Sequence, residues 1–518
     1  MVDRRNHRGT VLRGGAVVAS ALALGLVMAG CSAVAPGDDD GHTPGASGQD
    51  PDRVVLAEAT PGISHLGGST EELGLKASRA FFERTPAVVV LGKDATDSSK
   101  RAAGRASELG IPLLMEPEGA SEQKDFDEEL ERLGAETLIA YGTLSEAAIG
   151  DRDVVAGEDP EGQLPTIEAP EKSDNPGFAV VVRAGKKADQ AAGPALATAE
   201  AAGADRARMA SPDPRAEKNR KFFGDHADAQ LYTIGQGFGK SAEFSALAKT
   251  AAGGQELPGG GQVVFPARRM IALYGSPGTS SLGALGEQDL DGAIKRAKKL
   301  ATEYQPHSKE KVQPAFEIIA TVASAAPGTD GNYSSYTPVD QLEPWVKAAQ
   351  QAGVYVVLDL QPGRNDFLTQ AKHYEKLLSY PNVGLAYDPE WRLKPGQQHM
   401  KQIGSVDAAE LNRTNDWLAA LTRRKQLPQK VVILHQFRRS MIENRSTLDT
   451  THPELAMVLH ADGNGTPGMK MATWDNLRRG LPDGIRMAWK NFIDEDSPTF
   501  TPEQTFQIKP KPWFVSYQ

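Results

Sequence analysis

Eight short apolar runs recur through the C-terminal half of the chain, and they constrain its fold more than any other feature. They are Met270–Tyr274, Phe316–Ala320, Val354–Leu360, Val383–Tyr387, Val431–His435, Leu455–His460, Ile485–Trp489 and Trp513–Tyr517. Stretches of helical periodicity at Asp289–Glu303, Pro338–Ala352, Asp366–Leu378, Asp407–Arg424 and Thr473–Arg479 separate most of them. Strands alternating with helices call for a parallel sheet. Eight such units in about 250 residues match a (β/α)8 barrel, a TIM-type domain over residues 262–518. A doubly wound sheet is the alternative, because the connection from Asn491 to Lys511 holds only a short helical stretch.

The preceding residues carry the same alternation on a smaller scale. Residues 52–150 run Arg53–Ala57, Ala87–Gly92, Ile111–Met115 and Thr137–Gly142 as strands, with helices between them. A Pro/Glu/Asp-rich linker, 151–177, leads to a second unit, 178–256, with strands Phe178–Val182, Ala207–Ala210 and Gln230–Gly235. The expected fold class is therefore α/β: two small parallel-sheet units followed by the barrel. In the order of their elements, and in Glu-Leu-Gly-Ile-Pro-Leu-Leu-Met (108–115) and Arg-Leu-Gly-Ala-Glu-Thr-Leu-Ile-Ala-Tyr-Gly (132–142), these units resemble the cell wall-binding repeat 2 family of bacterial surface proteins. That resemblance implies non-covalent attachment to an anionic wall polymer; the alternative is a spacer or a lid on the barrel. Gly235, Gly237 and Gly239 follow a strand but lack the Gly-x-Gly-x-x-Gly spacing and later acidic residue of a dinucleotide site, and no cofactor is expected.

At the N-terminus, Arg4, Arg5, Arg8 and Arg13 precede an apolar run, Ala16–Ala29, that ends in Met28-Ala29-Gly30-Cys31. This is the layout of a signal peptide over residues 1–30. Cys31 is the only cysteine, so no internal disulfide can form. A lone thiol after such a segment resembles the lipobox of bacterial lipoproteins, which implies lipidation at Cys31. The implied location is extracytoplasmic, anchored to the outer face of the bacterial plasma membrane; an ordinary secretory signal is the alternative. Residues 31–51, rich in Gly, Pro, Ser and Asp, read as a flexible tether. A net charge of −10 argues against nucleic acid as a partner; the resemblances imply a cell-wall polymer or glycan as partner, and the membrane through the lipid.

Chemistry in a barrel sits at the C-terminal ends of its strands. Those ends read Asp359-Leu360-Gln361, Asp388-Pro389-Glu390-Trp391, His435-Gln436-Phe437, His460-Ala461-Asp462 and Trp489-Lys490. In the fourth strand, period-2 alternation puts Gly384, Ala386, Asp388 and Glu390 on one face. Small residues suit a crowded lumen, so both carboxylates should face its mouth. Two carboxylates on one sugar are what glycosidic cleavage requires. A capped or salt-bridged turn is the competing explanation.

Val383-Gly384-Leu385-Ala386-Tyr387-Asp388-Pro389-Glu390-Trp391 resembles the strand-four signature of family 18 chitinase-like glycoside hydrolases. That likeness implies Glu390 as general acid and Asp388 as the group that orients the substrate's own N-acetyl nucleophile. The chain departs from the signature at Val383 and Ala386, where the family carries acids. Asp359, Gln361, His435, His460 and Asp462 are expected to bind substrate by hydrogen bonding, and Trp391, Phe437 and Trp489 to offer rings. His435, His460 and Asp462 also suit a metal, but without tight local spacing none is expected. Ser276, in Tyr-Gly-Ser-Pro-Gly, is not a nucleophile elbow. The functional expectation is a lipid-anchored glycosidase acting on N-acetylated wall glycan, or else a non-catalytic wall-binding or scaffold lipoprotein with a degenerate barrel.

Overall fold

The computed structural model describes residues 50–158, 164–170 and 177–518. The expected signal peptide, Cys31, nearly all of the expected tether and two pieces of the expected 151–177 linker lie outside the described residues. No described helix is long and apolar enough to cross a membrane.

The barrel consists of β1 (Arg268–Gly275), β2 (Lys311–Ala323), β3 (Tyr355–Leu360), β4 (Val383–Tyr387), β5 (Lys430–Gln436), β6 (Leu455–Ala461), β7 (Arg486–Asn491) and β8 (Phe514–Tyr517). All neighbours pair in parallel, and β1 pairs with both β2 and β8, which closes the sheet. Closure excludes the doubly wound alternative. Each of the eight expected runs falls on one of these strands. The last connection does hold a helix, the short Pro502–Gln507, whose Thr501 and Gln504 form a capping box.

Alternation sets the two faces of the barrel wall. Met270, Ala272, Ala315, Tyr355, Val357, Ala386, Val431, Ile433, Val458 and Phe514 pack in the lumen. Ile271, Leu273, Phe316, Ile318, Leu385, Leu434 and Leu459 pack outward against the helices. Gly384 is dictated by closeness: a Cβ there would lie 2.5 Å from the Val431 carbonyl and 2.9 Å from the Tyr355 hydroxyl, which accepts the Val431 N–H at 3.1 Å. Leu257, Val264 and Phe265, just before β1, join the luminal core. The lumen is therefore filled except at its C-terminal mouth.

The front half holds two four-stranded parallel sheets of the same design. The first orders Leu113–Met115, Ala87–Leu91, Thr137–Tyr141 and Asp153–Ala156. The second orders Asp205–Met209, Phe178–Arg183, Gln230–Ile234 and then Gly62–Leu66. Its outer strand thus comes from the start of the chain. Gly62–Leu66 carries too few apolar residues to read as a strand, and it gains its place only by pairing with Gln230–Ile234. Arg53–Ala57, expected in a parallel sheet, reduces to Val55–Leu56 paired antiparallel with Phe82–Arg84.

Between the sheets lie the helices Thr70–Phe81, Ser99–Leu109 and Gly193–Ala201, the last small-residued and buried almost all round. One hydrophobic cluster runs through both sheets and these helices, with Phe81 against Phe178 and Tyr232 at 5.2 and 5.0 Å between ring centres. Thr198 bonds both the N–H and the carbonyl of Leu113, the edge strand of the first sheet.

Candidate active site

Above the apolar lumen every strand except β4 contributes one or two polar side chains. They are Tyr274 from β1, Glu317 from β2, Asp359 and Gln361 from β3, His435 from β5, His460 and Asp462 from β6, Lys490 from β7 and Ser516 from β8. A register shift between β2 and β3 after Ile319 bends the mouth at this level. Above them opens a cavity of about 710 Å³ lined by Tyr274, Ile319, Gln361, Asp388, Glu390, Trp391, Phe437, Asp462, Lys490 and Phe492, among others.

Of the residues expected at the site, Gln361, Asp388, Glu390, Trp391, Phe437 and Asp462 line this cavity. Asp359, His435 and His460 lie beneath its floor, fully buried. Trp489 is elsewhere. Its strand parity turns it outward, where it meets Trp474 at 5.6 Å and stacks on Phe500 at 5.5 Å. It belongs to the layer between barrel and helices, and its neighbour Lys490 faces inward.

Glu390 reaches the cavity differently from the expectation. The ladder stops at Tyr387, and Pro389 opens a 3-10 turn, Pro389–Trp391, because it cannot donate to a further ladder bond. The turn, not the pleat, brings Glu390 to this space, whereas Asp388, one residue past the ladder, is still in phase with the luminal Ala386. The turn is held by the Gly404 N–H on the Glu390 carbonyl at 2.7 Å.

The floor is a layer of charged hydrogen bonds. Tyr274 donates to Asp359 at 2.9 Å. His435 Nε2 donates to Glu317 at 2.7 Å and Nδ1 to Asp462 at 3.0 Å. Lys490 Nζ lies 3.0 Å from the other Asp462 oxygen and 3.7 Å over the Tyr274 ring.

Burial alone would strip the proton from His435, but the Glu317 and Asp462 carboxylates outweigh it and hold the imidazole charged well above its usual range. Burial also opposes the charge on Asp462; the Lys490 ammonium and His435 prevail and keep it ionised. His460, buried and beside the His435 charge, is held neutral.

Three other carboxyls go the other way. Burial, then the Asp462 charge, pushes Glu390 up to about 7. Burial raises Asp359 to about 6. Burial, with Glu390 and Asp359 nearby, lifts Asp388 well above the usual carboxylate range. Among the buried acids of the site, Asp462 is thus held ionised while Glu390, Asp359 and Asp388 are pushed towards their protonated forms, a division of the kind that supports acid–base chemistry.

Glu317, Tyr274 and Lys490 were not among the expected site residues. Glu317 had a readable signal, a lone acid at an inward position of the apolar run Ala315–Ile319, in phase with Ala315. Lys490 was shadowed by Trp489, whose ring drew the assignment one residue away from the inward face. Compared with models of protein families, with curated proteins and with solved structures, the chain has no match.

Proposed function

We propose that the protein is a lipid-anchored cell-envelope glycosidase whose barrel cleaves an N-acetylated wall glycan, with Glu390 as general acid and Asp388 orienting the substrate's acetamido group. The observation that carries this reading is the placement of Glu390: it lies on the cavity wall next to Asp388, none of the hydrogen bonds found among the described residues involves its carboxyl, and its proton is held up to about 7. Such a group can give a proton to a leaving oxygen near neutral pH. Burial, with Glu390 and Asp359 nearby, raises Asp388 as well, so its proton can be shared with Glu390 while its other oxygen accepts the acetamido N–H.

The departure from the family 18 signature at Ala386 has a local counterpart. Asp359 is the register partner of Ala386 on the neighbouring strand, and it brings a carboxyl to the same level of the lumen. Trp391, Phe437 and Phe492 supply rings for a sugar face. Attachment rests on the lipobox-like Cys31, and wall contact on the repeat-like units; Cys31→Ala should release the protein from membranes.

Incubating the full chain with purified peptidoglycan and with chito-oligosaccharides tests the activity. New reducing ends that vanish in Glu390→Gln support the reading; none from either substrate between pH 4 and 8, a range that brackets the acid, removes it.

A further inference from the structure

Two histidines and an aspartate meet under the cavity floor in a way that hydrogen bonding among themselves does not exhaust. His435 and His460 are neighbours in register on β5 and β6, with ring centres 4.8 Å apart. One nitrogen from each ring and one oxygen of Asp462 lie within 4.8 Å of one another. The outer nitrogen of each ring is already anchored, Nε2 of His435 on Glu317 at 2.7 Å and Nε2 of His460 on the Ser516 hydroxyl at 3.0 Å. Of the two Nδ1 atoms, that of His435 meets Asp462 Oδ2 at 3.0 Å. Nδ1 of His460 is fully buried and has no hydrogen-bond partner.

We propose that His435, His460 and Asp462 form a divalent transition-metal site of zinc type at the floor of the cavity. Three features support it beyond the cluster. A buried imidazole nitrogen with no partner among the described residues loses its hydration for nothing unless something is bound there. Each ring has a fixed outer partner, a carboxylate for one and a hydroxyl for the other, which is how ligating histidines are held and their tautomers set. The spacing is within reach: two ligand atoms at ~2.0–2.1 Å from a tetrahedral ion stand about 3.3 Å apart, and the three donor atoms lie within 4.8 Å of one another, with His435 Nδ1 and Asp462 Oδ2 at 3.0 Å. Lys490 engages the other oxygen, Oδ1, so Oδ2 is the ligating atom. Binding replaces the Nδ1 proton of His435, which leaves to solvent. Three protein ligands leave a fourth position, and Asp462 lines the cavity, so that position opens towards substrate. Two nitrogens and one oxygen favour zinc over magnesium or calcium.

The test is metal binding by the full chain in the absence of any glycan, so that its outcome is separate from the glycosidase reading. The protein is stripped with a chelator, then titrated with zinc by calorimetry and with cobalt by visible absorption. One zinc per chain and an intense four- or five-coordinate cobalt spectrum are expected. His460→Ala should weaken zinc by about 100-fold or more, and Glu317→Gln, which loosens the His435 ring, by about 10–100-fold. His452→Ala, which dismantles the exposed cluster of Asp416, Asp449 and His452, should change nothing. Absence of stoichiometric binding overturns the proposal, as does undiminished binding by His460→Ala or loss of binding only in His452→Ala. Should His460→Ala not fold, the wild-type cobalt spectrum decides: a weak six-coordinate band like that of the aqueous ion refutes the site.

Discussion

Glu317 on β2 reaches across the barrel lumen to His435 on β5, and the two meet at 2.7 Å with no exposure of either side chain. The pair stands between an apolar lower lumen and an acid-lined mouth, so it carries fold and site together. Removing one partner of a buried ion pair leaves the other charge uncompensated, at a cost of about 3–5 kcal/mol. Glu317→Ala should lower unfolding stability by that amount in urea titrations at pH 7, and Glu317→Gln, which keeps an acceptor oxygen, by less. Equal stability of Glu317→Ala and wild type would show that the lumen is wet at this level.

In the proposed reaction Glu390 is the general acid, so its protonated form would be the active one. With its pKa raised to about 7, kcat/KM on an oligosaccharide should be sustained below that pH and fall as pH rises through it. Glu390→Gln should lower turnover by about 10²–10⁴-fold and flatten that limb of the profile. A variant that keeps the alkaline limb assigns the titration to another group.

The two tryptophans once equivalent as sugar platforms should separate cleanly. Trp489→Ala opens a hole between barrel and helices and should cost about 3–5 kcal/mol of stability, with substrate affinity unchanged in the remaining folded protein. Trp391→Ala should cost about 1 kcal/mol in stability and weaken oligosaccharide binding by about 0.5–1.5 kcal/mol, measured by calorimetry with the inactive Glu390→Gln background.

The strand lent by the start of the chain predicts how the front half can be divided. A fragment of residues 178–256 lacks Gly62–Leu66 and exposes the edge of Gln230–Ile234, so it should aggregate or remain unfolded. A fragment of residues 50–256 should give a cooperative melt by circular dichroism. A monomeric, cooperatively folded 178–256 fragment would show that the borrowed strand is dispensable.

Local pattern reached far in this chain because both architectures repeat. Runs such as Val431–His435 and Leu455–His460 are apolar on both faces, as strands buried between a filled lumen and a helix layer must be, so eight strands and their order could be read one by one. Alternation within them also pointed Asp359, His435, His460 and Asp462 to one end and one face, since parity is a property of the strand itself. The expectation at Cys31 rests on local sequence alone and lies outside the described residues.

What needed the tertiary structure was everything decided by closure and by partners far along the chain. Gly62–Leu66 is a strand only because Gln230–Ile234 offers it a ladder. The turn at Pro389 moves Glu390 off the pleat and back to the cavity by a route that alternation cannot describe. Trp489 and Lys490 exchange places between rim and layer once the parity of β7 is set by its neighbours. The His435 charge exists because Glu317, 118 residues away, crosses a lumen that forms only when β1 meets β8. Such contacts depend on how the sheet closes and on water being excluded from it, and neither is encoded in any single window of sequence.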